Sequence, residues 1–478
     1  METSTMKLVA WKDATELRRD HRLIGAMIVV ALLALAALGA TYVRAVDYQR
    51  DRAAATAMER QSWVSQGPRD PNSAAHFAQW AFRALDAPAL LDPGTLPYSG
   101  AAVWMEAHAR NPAAFRPAKD RTGALQIGEF SVAWVLQTIV PLLLFVLAAG
   151  TIARERERGT LRLLFASGAD GRALANAKAR GLVRMAAMLV LPLLLAAAVA
   201  VMLAPDPAGL DQIGRTLLWC TAHAGFLLIA LLIGMAVSAR MRSTSAALVA
   251  LIGLWIVAVP LAPKAATSLA EAMHPTPSGE RFWASIQADI RNGFEGSGSS
   301  EEREASLEAR LLERYGATDL DALPISYRGA RLDYNERFGN RVFAHHHAEL
   351  EAIAERQRGA MRSLGILTPI IAMQNVSTAL AGTDNAHAQD FARQAGAERQ
   401  RVVNALNRDL VVNSVGDPNY AANQRLWQQF GVFEPDSLPL EAALRSVWPD
   451  LLILAAWMML GWWLLSRSGQ NLQQEFAE

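Results

Sequence analysis

The chain has 478 residues, of which 52% are hydrophobic, and its formal net charge is +1. Its apolar residues lie in a few long blocks separated by charged stretches, which is the composition of a membrane protein with water-soluble insertions rather than of a wholly soluble one. The near-neutral balance gives no reason to expect a nucleic-acid partner, and the single cysteine, Cys220, excludes an internal disulfide.

In chain order, a charged lead-in over 1–22 precedes the first apolar run, 23–43. Small residues at Ala37-Leu38-Gly39-Ala40 resemble a signal-peptide cleavage site, but the long lead-in and the length of the run favour an uncleaved anchor. Further runs long enough to cross a bilayer core lie at 129–153, three times within 185–263, and at 447–466. The expectation is therefore an all-α integral membrane protein with six transmembrane helices. The segment Leu364 to Gly382 is apolar but carries Pro369, Gln374 and Asn375. It reads as a buried or interfacial helix of a soluble domain, with a seventh span as the alternative.

Lys and Arg set the orientation. They crowd the lead-in, the 154–184 segment (Arg154 through Arg184) and the short turn holding Arg240 and Arg242. The loop Pro205 to Arg215 has only its terminal Arg. With six spans this predicts both termini, including the tail 467–478, in the cytoplasm of a bacterial inner membrane. Two mainly helical insertions, 44–128 and 264–446, then fall on the periplasmic side. The second is rich in helix formers, with a Ser299/Glu302 capping box after a Gly/Ser tract at 293–300. Asp384 reads as a cap for the helix that follows it.

The most informative stretch is TIARERERGTLRLLFASG, Thr151 to Gly168. A helix leaves the membrane into alternating Arg and Glu, breaks at Gly159, and restarts with Leu161, Leu163, Leu164 and Phe165. A short amphipathic helix fixed to two spans can dock in a groove of a soluble motor. Simple anchoring to lipid headgroups is the plainer alternative, although it would not need the Gly-Thr break. The run Glu155-Arg156-Glu157-Arg158-Gly159-Thr160-Leu161, then Leu164 and later Lys178, resembles the signature of type-2 ABC exporter permeases. The long insertions are similar to one subgroup of that family.

The resemblance implies that Glu155, Glu157, Arg158, Gly159, Thr160, Leu161, Leu164 and Phe165 contact a separate ABC ATP-binding subunit. It also implies a dimer with a second permease copy or paralogue, with membrane lipid around the spans and a periplasmic partner or substrate for the insertions. No Gly-x-x-x-x-Gly-Lys-Ser/Thr loop occurs in the sequence. No cofactor is therefore expected in this chain, and ATP and Mg would belong to the partner ATPase.

Gln137 and His223 are polar residues inside spans. They are candidates for lining a translocation path, or for a helix–helix hydrogen bond. His345-His346-His347 cannot converge on one ion from consecutive helical positions; His345 and Glu349 share a face, and a solvated face is the simpler reading. No catalytic or metal site is expected. The rival readings are an ATPase-driven scaffold that does mechanical work across the membrane, and a membrane-anchored sensor or enzyme.

Overall fold

A computed structural model describes residues 21–115, 130–206 and 208–475, together with Trp11, Lys12, Thr15 and Arg19. The rest of the 1–22 lead-in, the end of the first insertion over 116–129, and residues 476–478 lie outside the described residues.

The architecture is all-α. Six helices are long and apolar enough to cross a membrane: α1 (His21–Val64), α3 (Val132–Glu157), α5 (Gly171–Met202), α6 (Leu210–Arg240), α7 (Thr244–Met273) and α14 (Leu440–Glu475). Between them lie α2 (Pro71–Phe77), α4 (Thr160–Ala166), α8 (Gly279–Asn292), α9 (Ser300–Tyr315), α10 (Tyr327–Gly365), α11 (Pro369–Ala381), α12 (Asn385–Asn413) and α13 (Gln424–Gln428). The sheet present among the described residues has two short antiparallel strands, β1 (Trp80–Phe82) and β2 (Ala102–Trp104), with Trp80 opposite Trp104.

Helix α3 is the most enclosed span, and α6 packs on it and on α14. On α1 the inward residues are Val30, Ala34, Ala37, Leu38 and Thr41, a helical stripe, while Ile28, Val29, Leu32 and Leu35 face outward. Helix α7 turns little more than Ala247 and Leu251 inward along its apolar half. Such a distribution suits helices bathed in lipid, which offers apolar side chains as good an environment as the protein does.

Two of the prolines in the apolar runs coincide with widened turns. Pro141 is separated only by Val140 from a π-helical segment at Val135–Ile139, and Pro260 lies inside another at Val257–Leu261. Proline lacks an N–H and crowds the carbonyl four residues back, and a π turn separates the two. The indole of Trp255 donates to the Thr138 carbonyl inside the first of these segments at 2.9 Å.

Helix α1 spans 44 residues, about 66 Å, so roughly half of it projects beyond any bilayer core. Its projecting part meets the two insertions, which fold as one body. Trp63 stacks edge-on with Trp427 and donates to its carbonyl at 3.1 Å. Arg69 and Ala422 exchange backbone hydrogen bonds, and Arg328 pairs with Asp70 at 2.9 Å. The Ser299/Glu302 capping box is present at the start of α9, and Asp384 caps α12 by accepting from the His387 amide. His345 and His346 both reach Glu349, at 3.4 and 3.7 Å, while His346 also meets Asp289 at 2.8 Å and His347 meets the Phe343 carbonyl at 2.9 Å.

Helix α11 occupies the segment at 364–382 expected as a buried or interfacial helix of a soluble domain; it is buried, but its apolar face packs into the spans and not into a core of the insertion alone. Ile370, Ile371, Ala372, Met373, Val376, Ala379 and Leu380 all join the core of the spans. It wedges between α6 and α14, so the second insertion is keyed into the bundle by its own apolar helix. Polar contacts hold the wedge: Asp450 of α14, fully buried, accepts from Arg362 at 2.8 and 2.9 Å and from Asn375 at 2.9 Å.

At the opposite end of the bundle, the backbones of α5 and α14 touch at Gly171 and Gly469. A Cβ on Gly469 would sit 2.5 Å from the Gly171 carbonyl oxygen. Gly469→Val is therefore expected to force the helices apart, costing about 1–3 kcal/mol. It would also break the hydrogen bond from the Gly171 amide to Gln473. Thermal unfolding in detergent reads the loss; an unchanged transition would contradict this crossing.

Candidate functional site

The run Glu155-Arg156-Glu157 ends α3 at the face of the bundle remote from the insertions, and each residue ties α3 to a different neighbour. Glu155 accepts from the Thr160 hydroxyl in a short hydrogen bond. It also receives the buried Lys178 ammonium of α5 at 3.4 Å and Lys12 at 3.6 Å. Arg156 donates to the Met241 carbonyl at 3.0 Å and to Glu475 of α14 at 2.6 Å. Glu157 accepts from the Thr244 amide, the first of α7, at 3.1 Å, a carboxylate where the helix dipole favours one.

The chain then turns at Gly159, φ 72°, which any residue with a Cβ would adopt only with strain. The seven-residue α4 follows, and Gly168 (φ 84°) and the Asp170 cap lead into α5. Leu161 is fully buried in the bundle core, and Leu164 and Phe165 pack against it. Leu163 is 70% exposed. With the exposed Arg158, Gly159, Arg162 and Ala166 it forms the rim that remains for another molecule.

Sequence alone puts all of the apolar face at the disposal of a partner. The fold instead turns Leu161 and the Glu155 carboxylate inward, and leaves Leu163, Arg158 and Arg162 outward. Leu163 and Arg162 are missing from the sequence-derived contact set.

Gln137 and His223 are brought together. The Gln137 amide nitrogen lies 3.1 Å from His223 Nε2, and His223 Nδ1 lies 2.9 Å from the Trp219 carbonyl. That carbonyl fixes the proton on Nδ1, so Nε2 accepts from Gln137. The His223 ring stacks on the Trp219 indole, centroids 3.7 Å apart. The indole in turn donates to Ser377 of α11 at 2.9 Å, and Ser377 donates to Asp92 at 2.5 Å. Burial pushes the Asp92 carboxyl up, against the hydrogen bonds from Ser377 and the Gly94 amide.

A buried chain of polar groups, every donor pointing the same way, thus runs from α3 through α6 and α11 into the first insertion. Sequence inspection finds Gln137 and His223 but not Trp219, Ser377 or Asp92. Trp219→Phe is expected to cost about 1 kcal/mol by leaving Ser377 without a donor. Adding Ser377→Ala should cost less than that substitution does alone, and thermal unfolding of the single and double variants measures the difference.

These features define an all-α, multi-pass membrane protein with a polar face at one end of its bundle and a large folded body at the other. Within that body, a family model described as "Domain of unknown function (DUF3526)" matches residues 280–436. The match begins at the second residue of α8 and ends in the approach to α14. No curated protein matches the chain.

Proposed function

We propose that the chain is the membrane-spanning permease subunit of an ATP-driven exporter of the ABC type. A separate ATP-binding subunit, carrying ATP and Mg, would dock on the rim of α4. The bundle would sit in a bacterial inner membrane as a dimer with a second copy or a paralogue, both termini cytoplasmic and the insertions periplasmic. The carrying observation is α4 itself: a short helix between two spans, closed by left-handed glycines, buried through Leu161 and exposing Leu163 between two arginines. A rigidly mounted helix of this kind transmits a motor's movement to α3 and α5 together.

One observation favours a second reading, an ATPase-driven device that does mechanical work on the periplasmic side. Gln137 and His223, the polar groups available to line a path, are hydrogen-bonded to each other, and their chain continues into the insertion body.

Co-expression of the tagged chain with an ATP-binding protein encoded beside it, followed by purification in detergent, tests both. Stoichiometric retention of an ATPase supports either reading, and substrate flux in reconstituted vesicles separates the exporter from the mechanical device. Failure to retain an ATPase overturns both and leaves a membrane-anchored sensor as the better account.

A further inference from the structure

The insertion body contains a cavity of about 160 Å³ lined by Arg110, Arg393, Arg399, Asn340, Gln400 and Phe343, with Gly396 in its wall. Among the described residues, no carboxylate lines the cavity itself. Arg110 comes from the first insertion, Asn340 and Phe343 from α10, and the others from α12.

Three guanidinium groups around one cavity repel each other unless something offsets them. Arg399 is buried and held from behind: it donates to Glu336 at 2.6 Å, to the Glu106 carbonyl at 3.2 Å, and to Asn340 in a short hydrogen bond. Its Nε is buried without a partner. Arg393 is held at the rim by Asp390 at 3.0 Å and Glu351 at 4.0 Å. Arg110 is half-buried and, among the described residues, makes no hydrogen bond and no ion pair within 4 Å, although the Glu351 carboxylate acts on it from farther off. Its charge reaches His347, whose pKa is lowered to about 4 by burial and then by Arg110.

A half-buried arginine that makes no hydrogen bond leaves its guanidinium donors open to an acceptor. Guanidinium forks match carboxylate and phosphate oxygens in pairs. The amides of Asn340 and Gln400 add donors, and the Phe343 ring supplies an apolar side.

We propose that this cavity binds a small organic oxyanion, a carboxylate or a phosphate, through the guanidinium groups of Arg110 and Arg393. The ligand comes from solution rather than from the membrane plane. Phe343 lies 19 residues along α10 from Arg362, which is tied to α14, and that distance is roughly 30 Å of helix. The site stands independently of the ATP-driven reading.

The test uses the full chain in detergent, with inorganic phosphate and citrate each titrated against chloride at equal ionic strength. Both oxyanions also stabilise proteins by exclusion from their surface, an effect that does not saturate. Specific binding instead raises the unfolding temperature along a saturation curve. One oxyanion is expected to saturate. Arg110→Gln should weaken its Kd by about tenfold or more, with the unliganded unfolding temperature within about 1 °C of wild type. Gly396→Leu, whose side chain would enter the space where a Cβ already lies 3.7 Å from Arg110 Nε, should do the same by obstruction. Oxyanions indistinguishable from chloride, or saturation unaltered in both variants, would overturn the proposal.

Discussion

Leu163→Asp is expected to abolish retention of the proposed ATP-binding subunit while the chain itself stays folded. Leu163 is 70% exposed, so its replacement removes little of the chain's own packing. In a docked complex the same side chain would be enclosed, and removing a leucine contact forfeits about 1.5–3 kcal/mol. Placing a carboxylate there adds its desolvation. Together these weaken association by at least about a hundredfold, enough to lose the partner on an affinity column.

Glu155 and Glu157 make less discriminating probes. Glu155 is bonded to Thr160, Lys178 and Lys12, and Glu157 to the first amide of α7. Substituting either perturbs the chain's own helices, and only the exposed rim separates docking from folding. Full ATPase retention by Leu163→Asp, with an unchanged elution profile, would remove α4 as the docking element.

Glu336→Ala is expected to be the most destabilising single change in the insertion body. The Glu336 carboxylate and the Arg399 guanidinium are both almost wholly buried, 2.6 Å apart. Glu336 also accepts from the ring and the backbone amide of His108, each at 3.0 Å. His108 holds a left-handed backbone, φ 59°, in making both contacts. Removing one partner of such a pair strands the other charge, at a cost of about 3–5 kcal/mol.

Burial alone would raise the Glu336 pKa. The hydrogen bonds from His108 and the charge of Arg399 override it and hold the carboxyl at about 2. The folded value lies below the unfolded one, so the stabilisation is fully present above the ordinary carboxylate range. It is lost as the pH falls from about 4.5 towards 2, by on the order of 3 kcal/mol. Unfolding followed between pH 6 and 3 should show this slope in wild type and lose it in Glu336→Gln. An equal slope in both would assign the acid sensitivity elsewhere.

Much of this fold is written locally. A span declares itself by some twenty apolar residues, because bilayer hydrocarbon selects on length and composition alone. Caps do so through a side chain and an amide three residues apart, which is why Ser299, Glu302 and Asp384 are legible one segment at a time. The break at Gly159 and the restart of a helix at Thr160 are equally local, and the structure has both.

What sequence could not supply lies between segments. Gln137 and His223 are 86 positions apart, and Trp219 and Ser377 are 158 apart. No periodicity relates such pairs; only the crossing of α3, α6 and α11 brings them within hydrogen-bond distance. The same holds for Glu336 and Arg399, and for the choice of Leu161 inward and Leu163 outward on one short helix.

By itself, then, the sequence determined the number and nature of the apolar helices, their caps and the place of the charged turn, because each depends on neighbours within a few residues. The tertiary structure alone decided that α11 is a wedge in the bundle, that the two insertions form one body, and that Arg110 of the first insertion joins Arg393 and Arg399 of α12 around one cavity. Those outcomes depend on which faces meet, and that is set by the packing of the whole chain rather than by any one part of it.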